Sequence, residues 1–451
     1  MSIQWRPLAA QTFVTFILAV AVVHPSNGTA AAQSLFQPAT TADIAAVRGA
    51  APPTSNAKRE RLVRVDTNVL SRHVVPAGVD KAADRETRAK RLDGVVRLDL
   101  FPDASETFRR TSVQAGAGGG YIWEGANENK EIHEALLTID NSAINGRVQL
   151  NDRLFKIRHV AGRVHRITEL DAAAFPPEAP PVTPQNLPQA PPQATERDAQ
   201  DGSDSRANTI IKVLIAYTAN AQAEAAGSGG NIITEINQAI ALANQAYARG
   251  GIQITLQLAG APVRVVYAEN ANIQEDLENL SNLNTPTNAA AFNGVRNLRN
   301  TRKADLVSLF RRNDASFCGI AWFPGSSPNP GQPMPSAATR PTGYSVMNWT
   351  CVDNLSFHHE LGHNQGIRHD RYVDNTPPGY NHGFVNFAKR QRTVMAYNDF
   401  CSANGSFCTR INWFSSATRR ATGNVIIGNA ANDNTRRLRE TRIAISRYYI
   451  P

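Results

Sequence analysis

His359 and His363 lie four residues apart and bracket Glu360 in the stretch His359-Glu360-Leu361-Gly362-His363-Asn364-Gln365-Gly366-Ile367-Arg368-His369-Asp370. On a helix, residues i and i+4 share one face a turn apart, so both imidazoles can grip one metal ion. Glu360, next to the first of them, suits the role of general base. Gly366 can adopt a positive φ, which lets the helix stop and the chain turn. That turn can return His369 to the same ion. Three imidazoles with a fourth position open form the donor set of a catalytic zinc site, whereas a structural site is closed.

The surroundings agree with this reading. Leu355, Phe357, Leu361 and Ile367 supply apolar residues around the expected helix, and Asn354 or Ser356 can cap it. His358 is out of register: Gly362 stands four residues on and no Glu follows it, so it is expected outside the ligand set, at the surface or behind the ligands.

A second group follows at Thr393-Val394-Met395-Ala396-Tyr397. Together the two stretches resemble the metzincin zinc endopeptidases. The resemblance implies that Met395 forms a tight turn beneath the zinc histidines. Asp370, directly after the third His, resembles the reprolysin branch. Tyr397 instead resembles astacins and serralysins, where that Tyr approaches the zinc and can then hydrogen-bond an oxyanion. With Cys318-Gly319-Ile320-Ala321-Trp322, Arg368-His369-Asp370-Arg371 and Gly379-Tyr380-Asn381-His382-Gly383, the set most resembles bacterial reprolysin-like enzymes, the peptidyl-Asp metalloendopeptidases among them. The likeness covers about residues 208–451 and is strongest over 318–400.

These residues need a scaffold, and the sequence from Asn208 supplies one. Ile210 to Tyr217 is a near-continuous apolar run, as in a strand buried on both faces. Asn231 to Arg249 has apolar residues at helical spacing and ends at Gly250-Gly251. Ile252 to Leu258 and Asp305 to Phe310 read as strands, 288–302 as a helix, and a last helical run starts at Thr435. The expected fold is α/β (α+β): a twisted mixed sheet backed by helices, with the zinc helix after it. The resemblance makes Cys318 to Phe323 the edge strand that rims the cleft, where an extended substrate can pair by backbone hydrogen bonds.

Ahead of this catalytic domain (208–451), four segments are expected. Residues 1–32, with Arg6, an apolar run from Leu8 to Val23 and Ala30-Ala31-Ala32, read as a secretory signal peptide. Residues 33–60 read as a flexible lead-in. Residues 61–175 read as a small β-rich domain, with Asn145-Gly146 and Asn151-Asp152 as turns; Trp123-Glu124-Gly125 and the closing Phe175-Pro176-Pro177-Glu178 resemble reprolysin propeptides, which implies a propeptide domain. Residues 176–207 read as an extended, exposed linker holding the activation site. Eight of the chain's 26 prolines fall between Pro176 and Pro192, too many for a packed element.

All four cysteines, Cys318, Cys351, Cys401 and Cys408, lie in the catalytic part. An even count in a secreted chain points to disulfides. Of three possible connectivities, Cys401–Cys408 and Cys318–Cys351 are favoured, the second pinning the edge strand to the entry of the zinc helix. No close C-x-x-C pair exists to make a cysteine-ligated zinc site.

The reading is a secreted zinc endopeptidase made as a zymogen, with one catalytic Zn2+ held by His359, His363 and His369. Calcium is not indicated. Expected partners are protein or peptide substrates and its own propeptide as inhibitor. Nucleic acid is not expected, nor a membrane once the signal is removed, and the chain should be a monomer. The net charge of +9 is spread rather than blocked, which argues against a nucleic-acid partner. No Cys precedes residue 208, so latency must come from a carboxylate such as Asp198, Asp201 or Asp204 on the metal, or from the β-rich domain covering the cleft. Residues 208–451 hold 20 Arg and three Lys against 15 acidic residues. Arg368, Arg371, Arg390, Arg392 and Arg410 flank the motifs, and the guanidinium fork suits carboxylates. With the resemblance, this points to cleavage beside Asp or Glu. The competing reading is a secreted adhesin that keeps the zinc fold and acts only by binding, against which the intact Glu360 argues.

Overall fold

The computed structural model describes residues 34–47, 54, 56–66, 69–70, 94–116, 120–140, 143–185, 208–313, 316–324, 339–374 and 379–449. The signal-peptide segment, Asp198, Asp201 and Asp204, and most of the linker lie outside the described residues.

The N-terminal part is a nine-stranded antiparallel sheet: β1 (Phe36–Pro38), β2 (Ala57–Val65), β3 (Val95–Phe101), β4 (Ala104–Ala115), β5 (Tyr121–Ala126), β6 (His133–Asp140), β7 (Ala143–Leu150), β8 (Arg153–Ala161) and β9 (Val164–Leu170). Its order is β1-β2-β9-β8-β7-β6-β5-β4-β3. At the two ends, Leu35 N donates to Arg97 O at 3.0 Å, so the sheet nearly closes into a barrel. Side chains alternate across a strand, and Leu98, Leu100, Phe108, Trp123, Leu137 and Phe155 fill the interior. Two expectations change here. The described residues of the lead-in are structured: Leu35 and Phe36 are buried and β1 helps close the barrel, which its Ala- and Thr-rich neighbours concealed. Asn145-Gly146 is no turn but the middle of β7, where a Cβ on Gly146 would stand 2.4 Å from Leu137 Cδ2. Asn151-Asp152 does turn the chain, with Asn151 at φ 56°.

The C-terminal part is α/β. Its main sheet runs β11 (Ile254–Leu258), β10 (Thr209–Thr218), β13 (Leu306–Arg311), β15 (Tyr344–Asn348), β14 (Gly319–Ala321), with β12 (Val263–Val265) also on β10. All pairs are parallel except β14 with β15, so β14 is an antiparallel edge strand. Helix α1 (Ile232–Gly250) matches its expected span. Asn231 caps it and Gly251 ends it in the left-handed region. The motif helix α2 (Ser356–Asn364) lies against β14 and β15, and α3 (Asn434–Ser446) packs on β10. The expected helix over 288–302 is a 3-10 turn, Ala289–Phe292, followed by Asn293–Arg302. Among the described residues, no helix is long and apolar enough to cross a membrane.

Cys318 pairs with Cys351 and Cys401 with Cys408. The first bond ties the start of β14 to the turn leading into α2 across a separation of 33 residues. Replacing both Cys318 and Cys351 by Ser is expected to lower stability by about 3–4 kcal/mol, from the chain entropy of a loop that size. Thermal unfolding of the variant beside wild type checks it; an unchanged Tm would mean that packing alone holds β14 in place.

The barrel rests on the C-terminal part through a buried charged interface. Glu235 of α1 binds Lys156 at 2.8 Å and Arg158 at 3.2 Å, and Lys156 also reaches Asp353 at 2.6 Å. Burial alone would raise the Glu235 carboxyl, but the two cations outweigh it and hold it below its ordinary value.

The segment after the barrel departs most from expectation. Its first part is not exposed throughout: Glu178 is 2% and Ala179 3% accessible, while Pro177 and Pro180 face solvent. It runs along the open side of β14 as an added parallel strand. Cys318 N donates to Pro177 O (2.7 Å), Ala179 N to Gly319 O (2.9 Å), Val182 N to Ala321 O (3.1 Å) and Phe323 N to Val182 O (2.7 Å). Proline richness misled because a proline lacks only its N–H. The two donors this pairing needs come from Ala179 and Val182, which flank Pro180-Pro181.

Candidate active site and metal centre

Helix α2 places His359 and His363 on one face, and Gly366, at φ 84°, turns the chain after it. Asn381 Nδ2 donates to Gly366 O at 2.8 Å and secures that turn. His369 comes back to the pair. The three Nε2 atoms stand 3.1 Å (His359–His363), 3.2 Å (His359–His369) and 2.9 Å (His363–His369) apart. A tetrahedral zinc with bonds of about 2.0–2.1 Å spreads its ligand atoms to about 3.3 Å, so this triangle fits one ion.

The far sides of the rings fix their tautomers. His359 Nδ1 donates to Val394 O at 2.9 Å and His363 Nδ1 to Ile367 O at 3.0 Å, which leaves both Nε2 lone pairs facing inward. Burial keeps all three rings neutral. It pushes His363 down to about 3 and His359 and His369 well below the usual range, with the neighbouring ligand histidine and Arg410 acting in the same direction on the latter two. Neutral imidazoles are what a metal requires. Among the described residues, this is the one group of three such ligand residues.

Val394, which orients His359, belongs to the turn that carries Met395. Ala396 N closes the turn onto Thr393 O at 3.0 Å. Met395 is fully buried beneath α2, and a Cβ on Gly362 would come 3.0 Å from its sulfur. Asp370 ties this turn to the third histidine: Oδ2 accepts from Tyr397 N at 2.8 Å, and Oδ1 accepts from Tyr372 N at 3.1 Å.

Glu360 is fully buried, no N–H donor points at its carboxylate, and its hydrogen-bonding neighbour is the Glu178 carboxyl. It lies over β14, where a Cβ on Gly319 would be 2.6 Å from Oε1; glycine there admits the carboxylate to the cleft. Burial, and then the charge of Glu178, raise the Glu360 carboxyl well above its ordinary value, while Arg410 opposes. The Tyr397 ring lies 4.1 Å from that of His369, tilted by 39°, and its hydroxyl donates to Glu178 O at 2.8 Å.

Several expected placements change. Neither Asn354 nor Ser356 caps α2. Leu355 holds the N-cap at φ 67° with no side-chain hydrogen bond, and both polar neighbours bind Glu178 instead. His358 is a buried core residue rather than a surface one, on Asn412 Oδ1 at 2.8 Å and pushed down to about 3 by burial. Of the five flanking arginines, Arg368 binds Asp374, Arg371 binds Gly379 O, and Arg392 binds Cys408 O and Ala396 O. Arg410 alone among them donates to a carboxylate in the cleft, that of Glu178. Sequence reasoning missed Glu178. The signal was its place in Phe175-Pro176-Pro177-Glu178, a stretch that resembles reprolysin propeptides but assigns the acid no role at the site.

A model of metallopeptidase family M12, reprolysin type, matches residues 207–422. The peptidyl-Asp metalloendopeptidase of Stenotrophomonas maltophilia (strain R551-3) is 30% identical over 360 residues, 75% of this chain and 79% of that protein. The chain belongs to the M12 metallopeptidases. This M12 enzyme is also 29% identical to the peptidyl-Asp metalloendopeptidase of Xanthomonas campestris pv. campestris, over 76% of this chain and 79% of the relative. Among solved structures, metalloproteinase-II from Bacteroides fragilis overlaps 64% of the chain and 86% of its own, at 11% identity and a TM-score of 0.39. As an M12 member the chain is a zinc metalloendopeptidase, a hydrolase of peptide bonds.

Proposed function

We propose that the chain is made as a secreted zymogen and matures into an endopeptidase that cuts beside acidic residues. The observation that carries the peptidase chemistry is the convergence of three neutral imidazoles beside a buried carboxylate at a sheet edge. In this reading His359, His363 and His369 hold the ion, which when bound supplies Lewis acidity to water and to the scissile carbonyl. Glu360 takes the proton from water and passes it to the leaving amine. Met395 supports the ligands from below. Tyr397, whose hydroxyl already donates to a backbone carbonyl in the cleft, donates to the substrate oxyanion. Strand β14 aligns the substrate by backbone pairing.

The division of labour along the chain is part of the proposal: residues 1–32 as signal peptide, the barrel as propeptide, cleavage between 186 and 207, and 208–451 as the catalytic domain. Disulfides in the catalytic part fit an oxidising compartment outside the cytosol. The acidic preference is supported by the relatives' name and by Arg410 in the cleft. Casein hydrolysis by the processed chain is expected to stop with a chelator and return with zinc. Sequencing the cleavage sites in a peptide library is expected to show Asp or Glu enriched at one position. A flat profile would remove the specificity and leave the zinc peptidase.

A further inference from the structure

Glu178 is held as a ligand is held. Its Oε1 accepts from Arg410 Nη1 at 2.5 Å, Ser356 Oγ at 2.7 Å and Asn354 Nδ2 at 3.3 Å. The Arg410 side chain is 5% exposed and that of Glu178 is 0%. Arg410 Nη1 is also fixed by Asn354 O at 2.9 Å. Leu355 takes a left-handed conformation, uncommon without glycine, between the two residues that turn toward the carboxylate. A cavity of about 330 Å³ opens beside this contact, with Pro176, Glu178, Asn354, Arg392, Tyr397 and Arg410 in its wall. The pocket adjoins the reacting centre: the Glu178 carbonyl accepts from the hydroxyl of Tyr397, whose ring stands 4.1 Å from that of His369.

We infer that Arg410, Ser356 and Asn354 form the subsite that reads an acidic substrate side chain, and that the intact chain plugs it with its own Glu178. The inference rests on the endopeptidase reading above and names the specificity residues and the inhibitor of that same site. Pro177, Pro180 and Pro181 stiffen the plug and lower the entropy lost in holding it. Backbone pairing from Pro177 to Val182 occupies β14 at the same time. When the plug leaves, a buried guanidinium loses its carboxylate. Refilling the pocket with Asp or Glu restores the pair, and a neutral side chain leaves it unmet. The plug therefore inhibits by the chemistry that selects substrate, at a carboxylate well apart in sequence from Asp198, Asp201 and Asp204.

The test uses the unprocessed chain, the same chain cut between 186 and 207, and zinc content measured in each. Glu178→Gln is expected to raise hydrolysis of an Asp-containing peptide by the unprocessed chain about 10- to 100-fold over wild type. A synthetic peptide of residues 174–184 is expected to inhibit the processed enzyme competitively, and the same peptide carrying Glu178→Gln to bind about tenfold or more weakly. The peptide keeps the question open to experiment should the chain variant misfold. In processed Arg410→Gln, the preference for Asp over Asn in kcat/KM is expected to fall from on the order of 100-fold to near one, with Arg410→Lys between. Equal inhibition by the two peptides, or an Asp preference that survives Arg410→Gln at full zinc content, overturns the inference and leaves the peptidase reading intact. A zinc-loaded processed wild type that cuts no peptide overturns both, because nothing remains to be inhibited.

Discussion

Glu360→Gln is expected to fold, keep its zinc and lose about 10²–10⁴-fold in kcat, the usual contribution of a positioned acid–base group. The substitution keeps shape and removes the proton acceptor. The hydrogen-bonding neighbour of Glu360 is the Glu178 carboxyl, and no N–H donor is stranded by the change. The carboxylate stands apart from the ligand triad, whose own Nε2 atoms already close the triangle. Zinc stoichiometry and kcat measured on one preparation check both halves. Stoichiometric loss of zinc would place Glu360 among the ligands, and a retained rate would remove it from the chemistry.

His369→Ala is expected to have the second large effect, this time on the metal. Its Nε2 is 2.9 and 3.2 Å from those of the other two ligands, so removing it opens one corner of the triangle. Loss of an outer-shell partner already costs about 10–100-fold in metal affinity, and loss of a ligand should exceed that. Competition with a chelator of known affinity measures the change directly, apart from any assay of activity. The fold around it should hold, because Asp370 keeps the loop attached to Tyr397 N and Tyr372 N. Zinc affinity equal to wild type would rule out His369 as third ligand.

The two expected effects separate along a line visible in the geometry. His359 and His363 are oriented by Val394 O and Ile367 O, so the metal site is held by backbone from the Met395 turn and from the chain just past α2. Glu360 is held against Gly319 of β14 and beside the Glu178 carboxyl. Damage to the turn should therefore appear in metal binding, and damage to the edge strand in rate.

What the sequence determined by itself is what local interactions decide. The spacing of His359, Glu360 and His363 sets their faces on α2, because helical geometry needs only neighbours within one turn. Asn231 and Gly251 bound α1 for the same reason: a cap is satisfied by the backbone beside it. The continuous apolar run of β10 requires burial on both faces, and a parallel sheet supplies it. Tertiary structure decided the rest, and it did so where a group's partner lies far along the chain. Glu178 and Arg410 are 232 residues apart, and neither is marked as the other's partner by any spacing. Asn354 and Ser356 have the side chains of helix caps, yet a carboxylate in the cleft wins over the helix end because a charged acceptor makes the stronger bond. The stretch after Phe175 has the composition of an exposed linker. Its Glu178 and Ala179 are buried because β14 offers an unpaired edge, and an unpaired edge binds whatever extended chain the fold brings to it.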